Sequence, residues 1–369
     1  MGAGLLEGSS VALVHEWFSA TGGSEQVFMA IAGLLPHAAR YVLWAERDAG
    51  AEGLGLRESW LARTPLRRSK ALALPMMPLV WRTLDRRATF DVVISSTHAF
   101  AHTVRLGSHE ATRYLSYVHS PARYVWSPSF DGRGANPALR APRKLLQVVD
   151  SRLNRHVHSY AANSREVQAR IRRFWRRDAV VVNPPVAVDY FAAAPHAQRE
   201  QPRDYLLGVG RWIPYKNFDL MIAIADEAGL PLVIAGSGPE EARLRKLAAA
   251  ARVPVTFEVR PSKERLRELY WGARALLFPA HEDFGIIPVE AQACGTPVIG
   301  LGRGGLLETV VDGETGYLVD SLEAAPHAEA VRRLPRLSTQ RRMQEQAARF
   351  SPERFAHRMS EWVTDATSG

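Results

Sequence analysis

Residues 275–290 read ALLFPAHEDFGIIPVE: an apolar run that closes on a proline, a polar turn, and the opening of a helix. An uninterrupted apolar run of this length is the pattern of a strand covered on both faces, as in a parallel sheet. Pro288 suits the first turn of a helix, where its missing N–H costs nothing. The helix is therefore expected to begin near Ile286 and to stop before Gly295. Glu282 then lies in the turn, and Glu290 lies one to two turns down the helix. Free N–H groups at the helix start can face phosphate or sugar oxygens. A carboxylate beside them can accept hydrogen bonds from two vicinal hydroxyls, which sugars and ribose offer. The alternative is that both glutamates only complement the helix N-terminal dipole.

The same alternation extends in both directions. Downstream of a Pro- and Ala-rich segment, strands are expected at Tyr205–Val209, Leu232–Ala235, Val255–Val259, Ala275–Phe278, Pro297–Leu301 and Tyr317–Val319, with helices between them. Upstream, Val11–His15 is a strand, Thr21-Gly22-Gly23 a tight turn, and Ser24 the cap of a helix reaching about Leu35. Further strands are expected at Tyr41–Trp44, Asp91–Ser96, Arg113–His119 and His158–Ser164. Asn183-Pro184-Pro185 breaks the pattern. These signals give an α/β chain of two Rossmann-like domains: residues 1–185, a linker over 186–202, and residues 203–350. Two such modules in tandem place a ligand crevice at their facing carboxyl-terminal strand edges. Ser351-Pro352-Glu353 opens a terminal helix over 351–369, expected to return to the N-terminal domain.

Three other stretches carry chemistry. In Gly208–Asn217 (GVGRWIPYKN), Gly210 lets backbone approach a ligand, and Arg211 and Lys216 bracket the turn. Arg can meet a diphosphate with two parallel hydrogen bonds and Lys as a point charge; otherwise the two are solvated surface cations. Gly22 and Gly23 allow main-chain N–H groups to reach an anion, or mark only a turn. His119 ends a strand before Ser120-Pro121, where an imidazole can meet a sugar hydroxyl, or can simply be packed.

With 369 residues, 46% of them hydrophobic, the chain can bury two cores. The single cysteine excludes an internal disulfide and fits a cytoplasmic protein. Neither a secretory signal nor a membrane-spanning run is evident. The formal charge of +9 suits phosphate ligands or an anionic surface. Metal chemistry is not expected: there is no Asp-x-Asp and no H-E-x-x-H. The charge on a departing diphosphate would then fall to Arg, Lys and helix N-termini. No aromatic–basic recognition motif or zinc pattern points to nucleic acid. Residues 63–87 are basic, apolar, then basic again. They include Trp81 between Arg63, Arg67, Arg68 and Lys70 on one side and Arg82, Arg86 and Arg87 on the other. Such a stretch either lies on an anionic membrane as a peripheral contact or forms an ordinary helix and loop.

Together these stretches resemble the retaining GT-B glycosyltransferases of family 4. The resemblance runs over essentially the whole chain: E-x7-E from Glu282 to Glu290, then AQACGTPVIG and GLLETVVDGETGYLV, with VGRWIPYKN and IAGSGPE before it. In the N-terminal half, LPMMPLVWRTLDRRATFDVVISSTHAFAHTV and YVHSPARYVWS are similar to bacterial mannosyltransferases of O-antigen and exopolysaccharide assembly. The resemblance implies a nucleotide-sugar donor, GDP-mannose, with no cofactor and no metal, and a glycan, lipid-linked or small-molecule acceptor. By the same resemblance, Gly22 and Gly23 contact the donor through backbone and His119 contacts the transferred sugar. Arg211 and Lys216 hold the diphosphate. Glu282 holds sugar hydroxyls beside the N–H groups of Phe284, Gly285, Ile286 and Ile287. Glu290 binds the ribose, and the base lies against Val259 and Arg260. The family often has Phe-x-Gly where this chain has Phe257-Glu258-Val259, which leaves guanine, uracil and thymine open. A nucleotide-sugar epimerase, a phosphorylase or a sugar-nucleotide-binding pseudoenzyme would share the fold.

Overall fold

The computed structural model describes residues 5–19, 22–46, 50–85, 87–107, 111–127, 140–193, 203–336 and 339–368. The chain divides into two compact units, Met1–Pro184 with Phe355–Gly369, and Pro185–Arg354.

Unit 1 is built on a seven-stranded sheet of order β3-β2-β1-β4-β5-β6-β7. Its strands are β1 (Val11–Phe18), β2 (Ala39–Ala45), β3 (Leu56–Glu58), β4 (Val92–Thr97), β5 (Arg113–Val118), β6 (Ser159–Ala162) and β7 (Val180–Val181). Every neighbouring pair is parallel. Unit 2 holds a six-stranded sheet of order β10-β9-β8-β11-β12-β13. These are β8 (Tyr205–Arg211), β9 (Leu232–Ser237), β10 (Val255–Val259), β11 (Ala273–Phe278), β12 (Val298–Leu301) and β13 (Gly316–Val319), again all parallel. Both sheets are doubly wound, and each reverses strand order where its first strand meets its fourth. The crevice beyond the carboxyl ends of those two strands is where such sheets take ligands.

Parallel strands with helices on both faces must be buried throughout, and β1 shows what this demands. All of VALVHEWF is buried, including His15 and Glu16. The apolar run alone suggests a strand ending at His15. The strand continues to Phe18 because the two polar residues find partners inside. The short edge strand β3 carries no apolar run and leaves no sequence signal, while β7 lies within the short run Ala179–Val182.

The helix Gly23–Leu34 starts on Gly22, with extended backbone at φ −88° and ψ 140°. Ser24 is not its cap. It already lies inside the helix, and its hydroxyl donates to Glu25 Oε2 at 2.7 Å. Pro185–Ala193 is not a free linker: Val186, Val188 and Phe191 are buried in the unit 2 core, and Trp271 Nε1 donates to the Phe191 carbonyl at 2.9 Å. Residues 194–202, the rest of the expected linker, lie outside the described residues.

The terminal helix Pro352–Thr367 buries Phe355, Met359, Trp362 and Val363. Their spacing forms one apolar stripe, and all four join the unit 1 core with Leu13, Ile94 and Leu115. Each such side chain contributes about 1.5–3 kcal/mol. Trp362 Nε1 also donates to Ser159 Oγ at 2.8 Å.

The stretch 63–87 folds inward. Met77, Val80 and Trp81 are completely buried beside Trp44 and Phe100, so these three pack the core, whereas Leu79 is exposed. Arg67 donates to the Ala45 carbonyl, and Lys70 pairs with Glu46 at 3.1 Å. Arg86 lies outside the described residues. No helix among the described residues is long and apolar enough to cross a membrane.

Candidate donor site and a buried histidine cluster

In unit 2 the loops after β8 and β11, the strands flanking the order reversal, are stitched together. After β8, Pro214–Lys216 forms a single 3-10 turn, and Asn217 takes a left-handed conformation at φ 54°. Asn217 Nδ2 donates to the Pro279 carbonyl at 2.6 Å, just beyond β11. Lys216 Nζ then lies 2.6 Å from Glu282 Oε1, with the side chains only 12% and 14% exposed. The contact is a meeting of charges rather than an aligned hydrogen bond. The loop after β12 fixes the Glu282 backbone: Gly305 N–H donates to the Glu282 carbonyl at 2.9 Å.

The helix that follows is Ile286–Ala293, as the proline predicts. Gly285 stands before it at φ 91°, a left-handed conformation that favours glycine. Its first N–H groups have no intrahelical partner. Phe284 is buried against Phe350. Ile286 and Ile287 are half-buried.

Glu290 accepts a hydrogen bond from Tyr270 Oη at 2.9 Å. Burial pushes its carboxyl up to about 7, against the opposing pull of the Tyr270 hydroxyl and Lys263. Arg211 ends β8 with its side chain exposed, next to Gly210. Val259 is exposed at the end of β10. Arg260 follows at φ 48°, its N–H bonded to the Gly236 carbonyl at 2.8 Å. Non-glycine residues in this conformation are uncommon and gather at functional loops. Asn217 and Arg260 both lie at carboxyl ends of unit 2 strands. Glu258 is engaged elsewhere, with Arg265 at 2.6 Å.

Unit 1 places the remaining expected residues differently. A Cβ on Gly22 would meet Glu25 Oε2 at 1.7 Å. The Glu25 carboxylate, held by the Ser19 and Ser24 hydroxyls, lies against this turn. Gly23 is the first residue of the helix. His119 follows β5, but Nε2 is already 2.8 Å from Ser96 Oγ. Burial, together with His15 and His98 nearby, holds its imidazole well below the usual histidine range.

The cluster around His119 has no counterpart among the expected site residues. His15 and His98 ring centres are 5.5 Å apart, and each is 6.2 Å from that of His119. Below them Glu16 Oε1 accepts from Thr97 Oγ1 at 2.7 Å, Ala99 N–H at 2.8 Å and Ala101 N–H at 2.9 Å. Histidine and glutamate inside a strand whose every residue is buried are the signal that points there.

Residues 193–350 match the family model described as glycosyl transferases group 1. The D-inositol 3-phosphate glycosyltransferase of Acidothermus cellulolyticus is 40% identical over 147 residues, 35% of this chain and 33% of that protein. The Streptomyces avermitilis protein of the same name is 30% identical over 274 residues, 67% of this chain and 58% of that one. The chain thus spans between a third and three fifths of the length of these curated relatives. Among solved structures, Anabaena HepE in complex with UDP superposes with a TM-score of 0.69 at 17% identity, over 96% of this chain and all of that one. A sucrose-phosphate synthase from Thermosynechococcus elongatus gives 0.73 at 19% identity, over 97% and 99% of the two chains. These likenesses establish the fold. The chain has the GT-B fold, and residues 193–350 within it match the glycosyl transferases group 1 model.

Proposed function

We propose that the chain is a retaining glycosyltransferase that moves a hexose from a nucleoside diphosphate sugar to an acceptor hydroxyl, with no metal ion on the diphosphate. The observation that carries this reading is the Lys216–Glu282 pair, 2.6 Å apart at the reversal of strand order in unit 2. One carboxylate that accepts sugar hydroxyls and one cation that meets a phosphate are thereby held together before any ligand arrives. Arg211 adds a second cation. The N–H groups from Phe284 to Ile287 add donors free of charge regulation, and Glu290 takes the ribose hydroxyls.

In the reaction the bond from the anomeric carbon to the diphosphate breaks, and negative charge grows on the leaving oxygen. Lys216 and Arg211 stabilise that charge. The acceptor hydroxyl bonds to the same carbon from the face the diphosphate leaves, and its proton passes to the departing phosphate. Configuration is retained without a protein nucleophile, and the oxocarbenium-like state is short-lived.

The N-terminal resemblance favours GDP-mannose as donor. A UDP sugar is the second reading, supported by HepE, which was crystallised with UDP and with UDP-glucose. A thermal-shift screen separates them, since a ligand that binds only the folded chain raises its melting temperature. Stabilisation by GDP and GDP-mannose, lost in Glu290→Ala, supports the mannosyl reading; stabilisation by UDP sugars alone removes it. If no nucleotide stabilises the chain, the transferase reading fails.

A further inference from the structure

The Glu16 carboxylate is saturated on one side only. Oε1 takes the Thr97 hydroxyl and the Ala99 and Ala101 N–H groups, while Oε2 has only the long bond from His98 N–H at 3.2 Å. His98 Nδ1 lies 3.3 Å from Oε2, yet makes no hydrogen bond among the described residues. His15 Nδ1 is taken by the Ser96 carbonyl at 3.0 Å. His15 Nε2 is buried without a hydrogen-bond partner among the described residues. Two imidazole nitrogens are therefore left unsatisfied in the interior beside one open carboxylate oxygen. Each unsatisfied buried polar atom costs about 1–3 kcal/mol.

A shared cation accounts for all three. His15, Glu16 and His98 each offer a ligand atom, and these atoms lie within 4.8 Å of one another. Two atoms bound to one ion at about 2.1 Å stand about 3.0–3.4 Å apart, which is the separation of His98 Nδ1 and Glu16 Oε2. Two rings on one ion have centres about 5 Å apart, and those of His15 and His98 are 5.5 Å apart. The outer shell is also that of a metal site. A ligating histidine usually donates its other N–H to a carbonyl, and a ligating carboxylate is itself hydrogen-bonded. Ser96 does the first for His15, and Thr97, Ala99 and Ala101 do the second for Glu16.

We propose that His15 Nε2, Glu16 Oε2 and His98 Nδ1 form a binding site in unit 1 for one divalent transition-metal ion of the zinc, nickel or cobalt class. Two imidazoles and one carboxylate suit these ions and not magnesium or calcium, which prefer all-oxygen sets. The ion joins β1 to the turn after β4 and keeps open positions for an oxygen ligand.

The test uses untagged, chelator-treated protein, titrated with Zn2+ by calorimetry and with Co2+ by visible absorption. One equivalent should bind per chain, with the absorption bands of a cobalt–imidazole site and a raised melting temperature. His98 is partly exposed, so His98→Ala should fold, and it should weaken binding at least tenfold. Lys216→Ala should bind the metal as the wild type does, which separates this site from the donor site. The proposal is overturned if no saturable binding occurs, or if His98→Ala binds equally well. In the first case His98 and Glu16 form only an ion pair.

Discussion

Replacing Glu290 by glutamine should remove a pH dependence that the native chain shows in donor binding. Burial raises the Glu290 carboxyl to about 7 in the free protein. Only the ionised form accepts both ribose hydroxyls while it holds the Tyr270 hydroxyl. Roughly a tenth of molecules carry that form at about pH 6 and roughly nine tenths at about pH 8, so the apparent Kd falls about tenfold across this window. That is about 1.4 kcal/mol. A nucleotide sugar has no phosphate ionisation of its own in this window, so the protein alone supplies the slope. Calorimetric titration in two buffers of different ionisation enthalpy should also show proton release on binding near neutral pH. Glu290→Gln keeps a partner for Tyr270 but cannot ionise, so its Kd should be flat. The same shift makes the free protein lose stability as pH rises from the ordinary glutamate range through about 7, and Glu290→Gln should not show that loss. A flat wild-type profile, or a slope that survives in Glu290→Gln, would refute the assignment.

Three further outcomes follow from the geometry. Lys216→Ala and Arg211→Ala should each lower turnover by about two orders of magnitude or more, read as nucleotide release; near-normal rates in either would remove its role. Tyr270→Phe withdraws a hydrogen bond that favours the ionised Glu290, so the binding profile should move to higher pH, and a shift to lower pH would contradict this. Trp81→Glu puts a charge in a fully buried position and should destabilise unit 1 by several kcal/mol, visible in denaturant melts; a near-native midpoint would show that the stretch is not core.

The strands with long apolar runs, the start of the Ile286–Ala293 helix and the terminal helix are all legible in the sequence, because each follows from periodicity, a proline or a stripe at helical spacing. Glu282 and Lys216 can be named from their loops, but their contact cannot, since it depends on β8 and β11 being neighbours in the sheet. The errors share one cause. Local pattern makes Ser24 a cap and Trp81 a surface residue, while tertiary partners decide otherwise: Glu25 takes the Ser24 hydroxyl, and Trp81 joins the Trp44–Phe100 core. His15, Glu16 and His98 stayed hidden because polar residues ordinarily end a strand in a sequence reading, and only β4 shows why they need not.

The most direct measurement is a calorimetric titration of nucleotide sugars into the wild-type chain and Lys216→Ala. One nucleotide sugar should bind the wild type with a stoichiometry of one, and Lys216→Ala should weaken it at least tenfold while its melting temperature stays near native. Equal affinity in the two proteins, or no binding of any nucleotide sugar to the wild type, would contradict the assignment of the Lys216–Glu282 pair as the donor site.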